Sequence, residues 1–223
     1  MKLVSTPRIR FLRELATEIL GVYGRGRTVV AVDGTDAEAR AAFADDLAAV
    51  FDEREHPVFR ASLRDFRHSR AEQESFGPES PERLLRYIYD FSLLRRVLLD
   101  PFRLGGSTGF VTRAFDADRD TWVEPTWLTG PPDATLILDG EYLNRRELRD
   151  LWSSSVLVET EADAVRFPAP DDLEADDDAA PAANEHLVAD RLYRGQVRPR
   201  SRATAVVDLS NPDDPRRLFL DSC

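Results

Sequence analysis

Cysteine and lysine are scarce in this chain. Cys223, the last residue, is its single cysteine, so no disulfide can form within the chain. That usage suits a reducing cytosol. Lys2 is its single lysine, which leaves none in the body of the chain for lysine chemistry. Residues 1–28 hold no uninterrupted apolar run, so we predict neither a signal peptide nor a membrane span. We therefore expect a soluble, cytoplasmic protein.

Positive charge is also scarce. Thirty basic residues stand against 41 acidic ones, giving a net charge of −11 and an isoelectric point of about 4.8. Nucleic acids and anionic membranes would repel such a chain, so we expect neither as a partner. The three histidines, His56, His68 and His186, lack metal-ligand spacing and have no cysteine partner. A hydrophobic fraction of 42% in 223 residues is typical of a globular domain with a sizeable core.

Strand and helix patterns alternate along the chain. Short apolar runs predict strands at 28–32, 58–63, 134–138, 155–158 and 203–207. Helical spacing predicts helices at 8–23, 36–52, 81–99 (with a break near residues 90–92) and 143–152. Pro101 is predicted to end the third helix, residues 64–80 to form a loop, and 110–123 a hairpin or strand pair. This alternation predicts one α/β domain over 1–223, in which a parallel sheet of about five strands has helices on both faces.

Several segments, taken in chain order, resemble one family. They are Val-Val-Ala-Val-Asp-Gly at 29–34 with 43–47, Ala-Ser-Leu-Arg-Asp-Phe at 61–66, 89–91 with 98–102, Leu-Ile-Leu-Asp-Gly at 136–140, and 191–193 through 206–208. Together they span roughly residues 10–217 and are similar to the uridine-kinase-like P-loop kinases. The resemblance implies a three-layer P-loop kinase fold. In an active member it also implies ATP and Mg²⁺ as cofactors and a nucleoside as phosphate acceptor.

The phosphate-binding loop of that family has the pattern Gly-x-x-x-x-Gly-Lys-Ser/Thr. Its N–H groups and lysine hold the phosphates, and its hydroxyl holds Mg²⁺. The matching stretch from Gly34 to Ala41 keeps only the first glycine. Ala39 disfavours close approach of a phosphate, Arg40 differs from lysine in reach, and Ala41 has no hydroxyl. Gly34, Asp36 and Arg40 are thus the candidate remnants of a cofactor-binding loop. The alternative is an ordinary helix start rich in alanine.

Other family positions carry over less directly. Asp139 ends an apolar strand and matches the acidic residue that positions Mg²⁺, although an Asp-Gly turn also accounts for it. The family's catalytic base lies two residues before Phe66, where this chain has Arg64. Asp65 is therefore the candidate catalytic residue, one position off, and its alternative is an exposed or arginine-paired carboxylate. Asp190, in Ala189-Asp190, stands where the family has a Gly-Gln pair that contacts the nucleoside.

A segment at 168–183 is rich in Asp, Ala and Pro and is predicted to be an acidic, mobile loop. It lies where active relatives carry lid arginines, and its six carboxylates would oppose triphosphate binding.

Three hypotheses follow for the function. The first is a uridine-kinase-like protein that has lost efficient phosphate transfer and keeps a binding or structural role, with a nucleoside or small anion as ligand. The second is an active ATP-dependent kinase with a non-standard loop, in which Arg40 replaces lysine while Asp139 and Asp36 carry the metal. The third is a scaffold without a ligand, for instance a homodimer.

Overall fold

The structure is a computed structural model that describes residues 2–166 and 185–219. Its helices, in chain order, are α1 (Pro7–Tyr23), α2 (Ala37–Glu53), α3 (Arg70–Ser75), α4 (Pro81–Arg86), α5 (Phe91–Leu94), α6 (Asp100–Leu104), α7 (Glu161–Arg166) and α8 (Glu185–Val197). Its strands are β1 (Thr28–Asp33), β2 (Val58–Ser62), β3 (Phe115–Asp116), β4 (Thr121–Trp122), β5 (Thr135–Gly140), β6 (Ser154–Glu159), β7 (Ala205–Asp208) and β8 (Arg216–Leu218). The predicted acidic segment 168–183 lies outside the described residues.

Six of the strands form one sheet in the order β2-β5-β1-β6-β7-β8, and β3 pairs with β4 apart from it. The first five are parallel, while β8 runs antiparallel to β7. β1 is central: Val30 is in register with Ile137 on one side and Ser154 on the other. β1, β5 and β6 are buried along their whole length, as expected for parallel strands covered on both faces. Their carboxyl ends meet at one edge of the sheet.

Apolar side chains of β1 alternate between two cores. Val29 and Ala31 pack with the helices from α5 to α6, whereas Val30 and Val32 pack with α1 and α2. This alternation follows from the two-residue repeat of a strand. The predicted three-layer α/β fold, with helices on both faces of a mostly parallel sheet, is therefore confirmed. No helix among the described residues is long and apolar enough to cross a membrane.

Local signals explain where the first two helices begin. The Thr6 side chain accepts a hydrogen bond from the Ile9 N–H and Pro7 occupies the first helical position of α1, a favourable start because proline has no N–H to leave unpaired. The Asp36 side chain caps α2 in the same way. Both helices match their predicted bounds within one residue.

Three predictions of local structure were wrong. Pro101 does not end the third helix, because it lies in the first turn of α6, which continues to Leu104 and ends at Gly105. Residues 143–152 form only a 3₁₀ turn at Arg149–Leu151. The segment 64–80, predicted as a loop, contains a 3₁₀ turn at Leu63–Phe66 and the short helix α3, which a Ser69–Glu72 capping box stabilises.

The helix preceding Pro101 widens into a π-helical turn at Arg95–Leu99. Proline has no N–H to donate to the Val97 carbonyl, and the Val111 N–H donates to that oxygen instead, at 2.8 Å. The backbone accommodates the missing bond without breaking the helix.

Candidate functional site

The turn between β1 and α2 holds the sequence-predicted loop residues. Only three residues, Gly34 to Asp36, separate the strand from the helix, so the second half of the predicted loop is already helical. An Asp36 carboxylate oxygen accepts from the Ala39 N–H at 2.9 Å, and the Asp36 carbonyl accepts from the Arg40 N–H at 3.0 Å. The N–H groups of Ala39 and Arg40 are therefore already bonded within the first turn of α2. In a phosphate-binding loop, N–H groups at this place point toward the ligand instead.

Gly34 is required here by packing. A Cβ at this position would lie 2.8 Å from both Cγ2 and the carbonyl oxygen of Val158, in the neighbouring strand β6. A glycine therefore lets the end of β1 approach β6 closely.

Arg40 lies inside the protein rather than over an open loop. It is 6% exposed; its Nε is 3.3 Å from an Asp139 oxygen, and its Nη1 donates to the Gly34 carbonyl. The side chain thus closes the β1–α2 turn against β5, because Asp139 is paired in register with Val32 of β1. The structure brings Gly34, Arg40 and Asp139 together, whereas Asp36 serves as the cap of α2.

Asp139 is 2% exposed and bound on both oxygens. Oδ2 faces the Arg40 guanidinium and accepts a long hydrogen bond of 3.4 Å from Ser62, while Oδ1 accepts from Arg60 Nη2 at 2.8 Å. Arg60 also bonds Asp45, with 2.9 Å between Nε and Oδ1.

Mg²⁺ does not fit this arrangement, since guanidinium groups cover the carboxylate that would coordinate it and Ala41 offers no side-chain oxygen. Among the described residues, no group of three or more His, Cys, Asp or Glu side chains is placed to hold a metal ion.

Asp65 lies in the 3₁₀ turn after β2 and contacts a different partner. Its carboxylate is 3.3 Å from Arg113 Nε, and burial raises its pKa, an effect that the Arg113 charge opposes. Arg64, the residue at the family's base position, is exposed and pairs with Asp118. The Asp65 carboxylate is therefore paired with an arginine, which is the alternative to a catalytic role considered from the sequence. Its role as a base stays a prediction.

Sequence reasoning missed Asp33, which ends β1 and is fully buried. One carboxylate oxygen accepts from the Asn144 backbone N–H at 3.1 Å, from its side-chain amide at 2.7 Å, and from the Tyr193 hydroxyl. The other oxygen has no hydrogen-bond partner among the described residues. A charged residue directly after an apolar strand was the available signal, but only the fold shows which groups converge on it.

Three tyrosines donate to carboxylates near this edge of the sheet. Tyr193 bonds Asp33, Tyr142 bonds Asp190 at 2.6 Å, and Tyr89 bonds Glu141 at 2.8 Å. Burial raises the pKa of all three hydroxyls, and the adjacent carboxylates raise it further. Burial also raises the pKa of Asp190. Asp190 therefore ties α8 to the segment after β5 through Tyr142.

An ion-pair network around two buried carboxylates, Glu159 and Asp163, joins α7 and α8 to β6. Glu159, at the end of β6, pairs with Arg194 and Arg200 at 2.7 and 2.8 Å. Asp163 is 3.3 Å from Arg194 and also accepts from the Thr35 hydroxyl. Thr35, within the β1–α2 turn, is thereby fixed by a carboxylate that also pairs with Arg194, so the turn is tied to α7 and α8.

Comparison with known proteins identifies the fold. No protein-family model matches the chain, and no curated protein matches its sequence. A structure described as a possible uridine kinase from Bacillus stearothermophilus superposes with a TM-score of 0.69 at 21% identity, over 89% of this chain and 96% of that one.

Two further kinase structures agree with this. A D-glycerate 3-kinase from Cryptococcus neoformans var. grubii gives a TM-score of 0.53 at 11% identity, over 94% and 99% of the two chains. A candidate fructose transport system kinase from Silicibacter sp. TM1040 superposes with a TM-score of 0.55 at 21% identity, over 66% of this chain and 74% of that one. The strand order, the central β1 and these superpositions together show that the chain has a P-loop kinase fold.

Proposed function

We propose that this chain is a uridine-kinase-like protein that has lost efficient phosphate transfer from ATP and retains a binding or structural role. The observation that carries the proposal is the buried contact of Arg40 with Asp139. In the second hypothesis these two residues hold the phosphates and the metal; here they neutralise each other.

Binding ATP through Arg40 would cost free energy, because Arg40 would have to leave Asp139. Drawing Arg40 toward a phosphate would separate it from Asp139, and breaking this buried contact costs about 2–4 kcal/mol, because Asp139 keeps its pair with Arg60. ATP binding would have to supply that energy, which lowers affinity by roughly one to three orders of magnitude. The Asp36 cap and the Asp163–Thr35 contact add to the cost, because the turn would also have to open.

Calorimetric titration with Mg-ATP at physiological salt tests the proposal. We expect no binding heat in the micromolar range and no phosphate transfer to a nucleoside. The triple variant A39G/R40K/A41T restores the loop residues, and we expect it to stay inactive because α2 still begins at Ala37 under the Asp36 cap. Micromolar binding of Mg-ATP to the β1–α2 turn of the unmodified chain would overturn the proposal and favour an active kinase.

A further inference from the structure

A second candidate site lies away from the β1–α2 turn. A groove of about 950 Å³ runs between α4, the helices from α5 to α6, the segment after β5, and α8. We name it the arginine groove. Its volume is in the range of small-molecule sites. Its apolar lining includes Leu85, Phe91, Leu104, Leu148, Leu151 and Val197.

The arginine groove carries more positive than negative side chains, although the chain as a whole is negatively charged. Four arginines, at positions 86, 95, 96 and 145, line it with two carboxylates, Asp100 and Glu147, whereas the chain carries −11 overall. Arg86 pairs with Glu82 at 3.4 Å and Arg95 with Asp100 at 3.9 Å, so Arg96 and Arg145 are the two groove arginines without an ion-pair partner among the described residues. An excess of positive charge around an apolar surface favours a ligand that is both apolar and anionic.

Arg145 is the best placed of these arginines. Its Nε donates to the Tyr142 carbonyl at 3.2 Å and its Nη1 to the Leu85 carbonyl, which fixes the side chain. The guanidinium carbon lies 5.1 Å from the centre of the Phe91 ring. In the described part of the chain no carboxylate lies within ion-pair distance of Arg145, and its Nη2 has no hydrogen-bond partner. Burial lowers its pKa, so a bound anion would stabilise its charged form.

We propose that the arginine groove binds a small anion carrying a ring, such as an aryl phosphate or aryl carboxylate. The anionic group accepts hydrogen bonds from Arg145, the ring packs on Phe91 and Leu148, and Arg96 adds positive charge at the exposed side. The site is independent of the proposed loss of phosphate transfer, since none of its lining residues belongs to the β1–α2 turn.

Calorimetry with three probes tests the site. We expect phenyl phosphate and benzoate to bind, and benzyl alcohol, which keeps the ring without the charge, to bind at least about tenfold more weakly. The strength of phenyl phosphate relative to benzoate distinguishes a phosphate site from a carboxylate site. Absence of binding by both anions, or equal binding of benzyl alcohol, would overturn the proposal.

Matched variants locate the binding. Arg145→Gln should weaken phenyl phosphate binding at least about tenfold, whereas Arg146→Gln, at the exposed neighbouring arginine outside the groove lining, should leave it unchanged. Because Arg145 also binds two carbonyls, its loss can disturb folding. Arg96→Gln avoids this, since Arg96 is exposed and has no side-chain hydrogen bond or ion pair within residues 2–166 and 185–219. In Arg96→Gln we expect the affinity for phenyl phosphate to fall severalfold.

Ser92→Trp provides a further check. Ser92 is an exposed residue of α5 in the groove lining, so an indole there should fill the space and abolish binding of phenyl phosphate. Binding that survives both Arg96→Gln and Ser92→Trp would overturn the site. The same variant separates the two proposals: Mg-ATP heat that disappears in Ser92→Trp belongs to the groove, whereas heat that persists belongs to the β1–α2 turn.

Discussion

At the scale of single residues, the Arg40 contact should matter for stability. Arg40→Met keeps most of the side-chain bulk and the helix propensity, leaves Arg60 as the one cationic partner of Asp139 among the described residues, and removes the donor to Gly34. We expect it to lower the free energy of unfolding by about 2–4 kcal/mol, measured by urea denaturation. Arg64→Met is the matched control, because its pair with Asp118 is 56% and 74% exposed, and it should cost less than about 1 kcal/mol. Equal losses would contradict this view.

A second prediction at this scale concerns how Glu53 makes the stability of the fold depend on pH. Hydrogen bonds from Arg13 and from the Leu3 N–H lower the pKa of Glu53 to about 2 in the folded chain. The carboxylate therefore stabilises the fold fully above its ordinary pKa near 4.5, and this contribution is lost as the pH falls from there toward 2. In Glu53→Gln, the difference in stability from the unmodified chain should shrink over that interval in urea titrations. The control Glu74→Gln removes an exposed carboxylate, and a shrinking difference of equal size there would argue against the assignment.

At the scale of elements, two glycines should respond to alanine with opposite signs. Gly21 lies within α1 and a Cβ there meets nothing within 4 Å, so Gly21→Ala should stabilise the chain by about 0.5–1 kcal/mol. Gly34→Ala would push a Cβ against the backbone oxygen of Val158 and should destabilise it by at least about 1 kcal/mol. Thermal unfolding of the two variants measures both effects, and a stabilising Gly34→Ala would show that β6 yields more easily than its packing indicates.

The elements also show how far the sequence alone can predict this structure. β1 and α2 are predictable because each carries its own signal, an apolar run and a helical repeat with a cap. The strand β8 is not, since Arg216–Leu218 has little apolar pattern and is held by pairing with β7. The passage of the helix through Pro101 depends on Val111, ten residues away, which donates to the carbonyl that the proline leaves free.

The same reason limits prediction of the candidate site. Gly34, Arg40 and Asp139 can be found because a family motif locates them along the chain. Their mutual contact, and that of Arg60 with Asp139, follows only from the sheet order that places β5 between β1 and β2. Arg145 and Phe91 are 54 positions apart in the sequence, and no local pattern indicates that they line one groove.

At the scale of the whole molecule, net charge should control the response to salt. At pH 7 the net charge is −11, so the excess acidic side chains repel one another across the surface. Salt weakens this repulsion, because the Debye length falls from about 30 Å at 0.01 M to about 8 Å at 0.15 M. Exposed ion pairs such as Arg64–Asp118 are screened as well, but each contributes little, and the buried Arg40–Asp139 contact is screened much less.

The melting temperature should therefore rise between 10 and 300 mM NaCl at neutral pH; a gain of about 1 kcal/mol would appear as about 2–4 °C in a chain of this size. Near pH 4.8, where the net charge is zero, the same salt step should leave the melting temperature unchanged or lower it, because repulsion no longer outweighs the attraction between opposite charges that salt also screens. A rise of equal size at both pH values would indicate anion binding, with the arginine groove as the first place to look, rather than relief of repulsion.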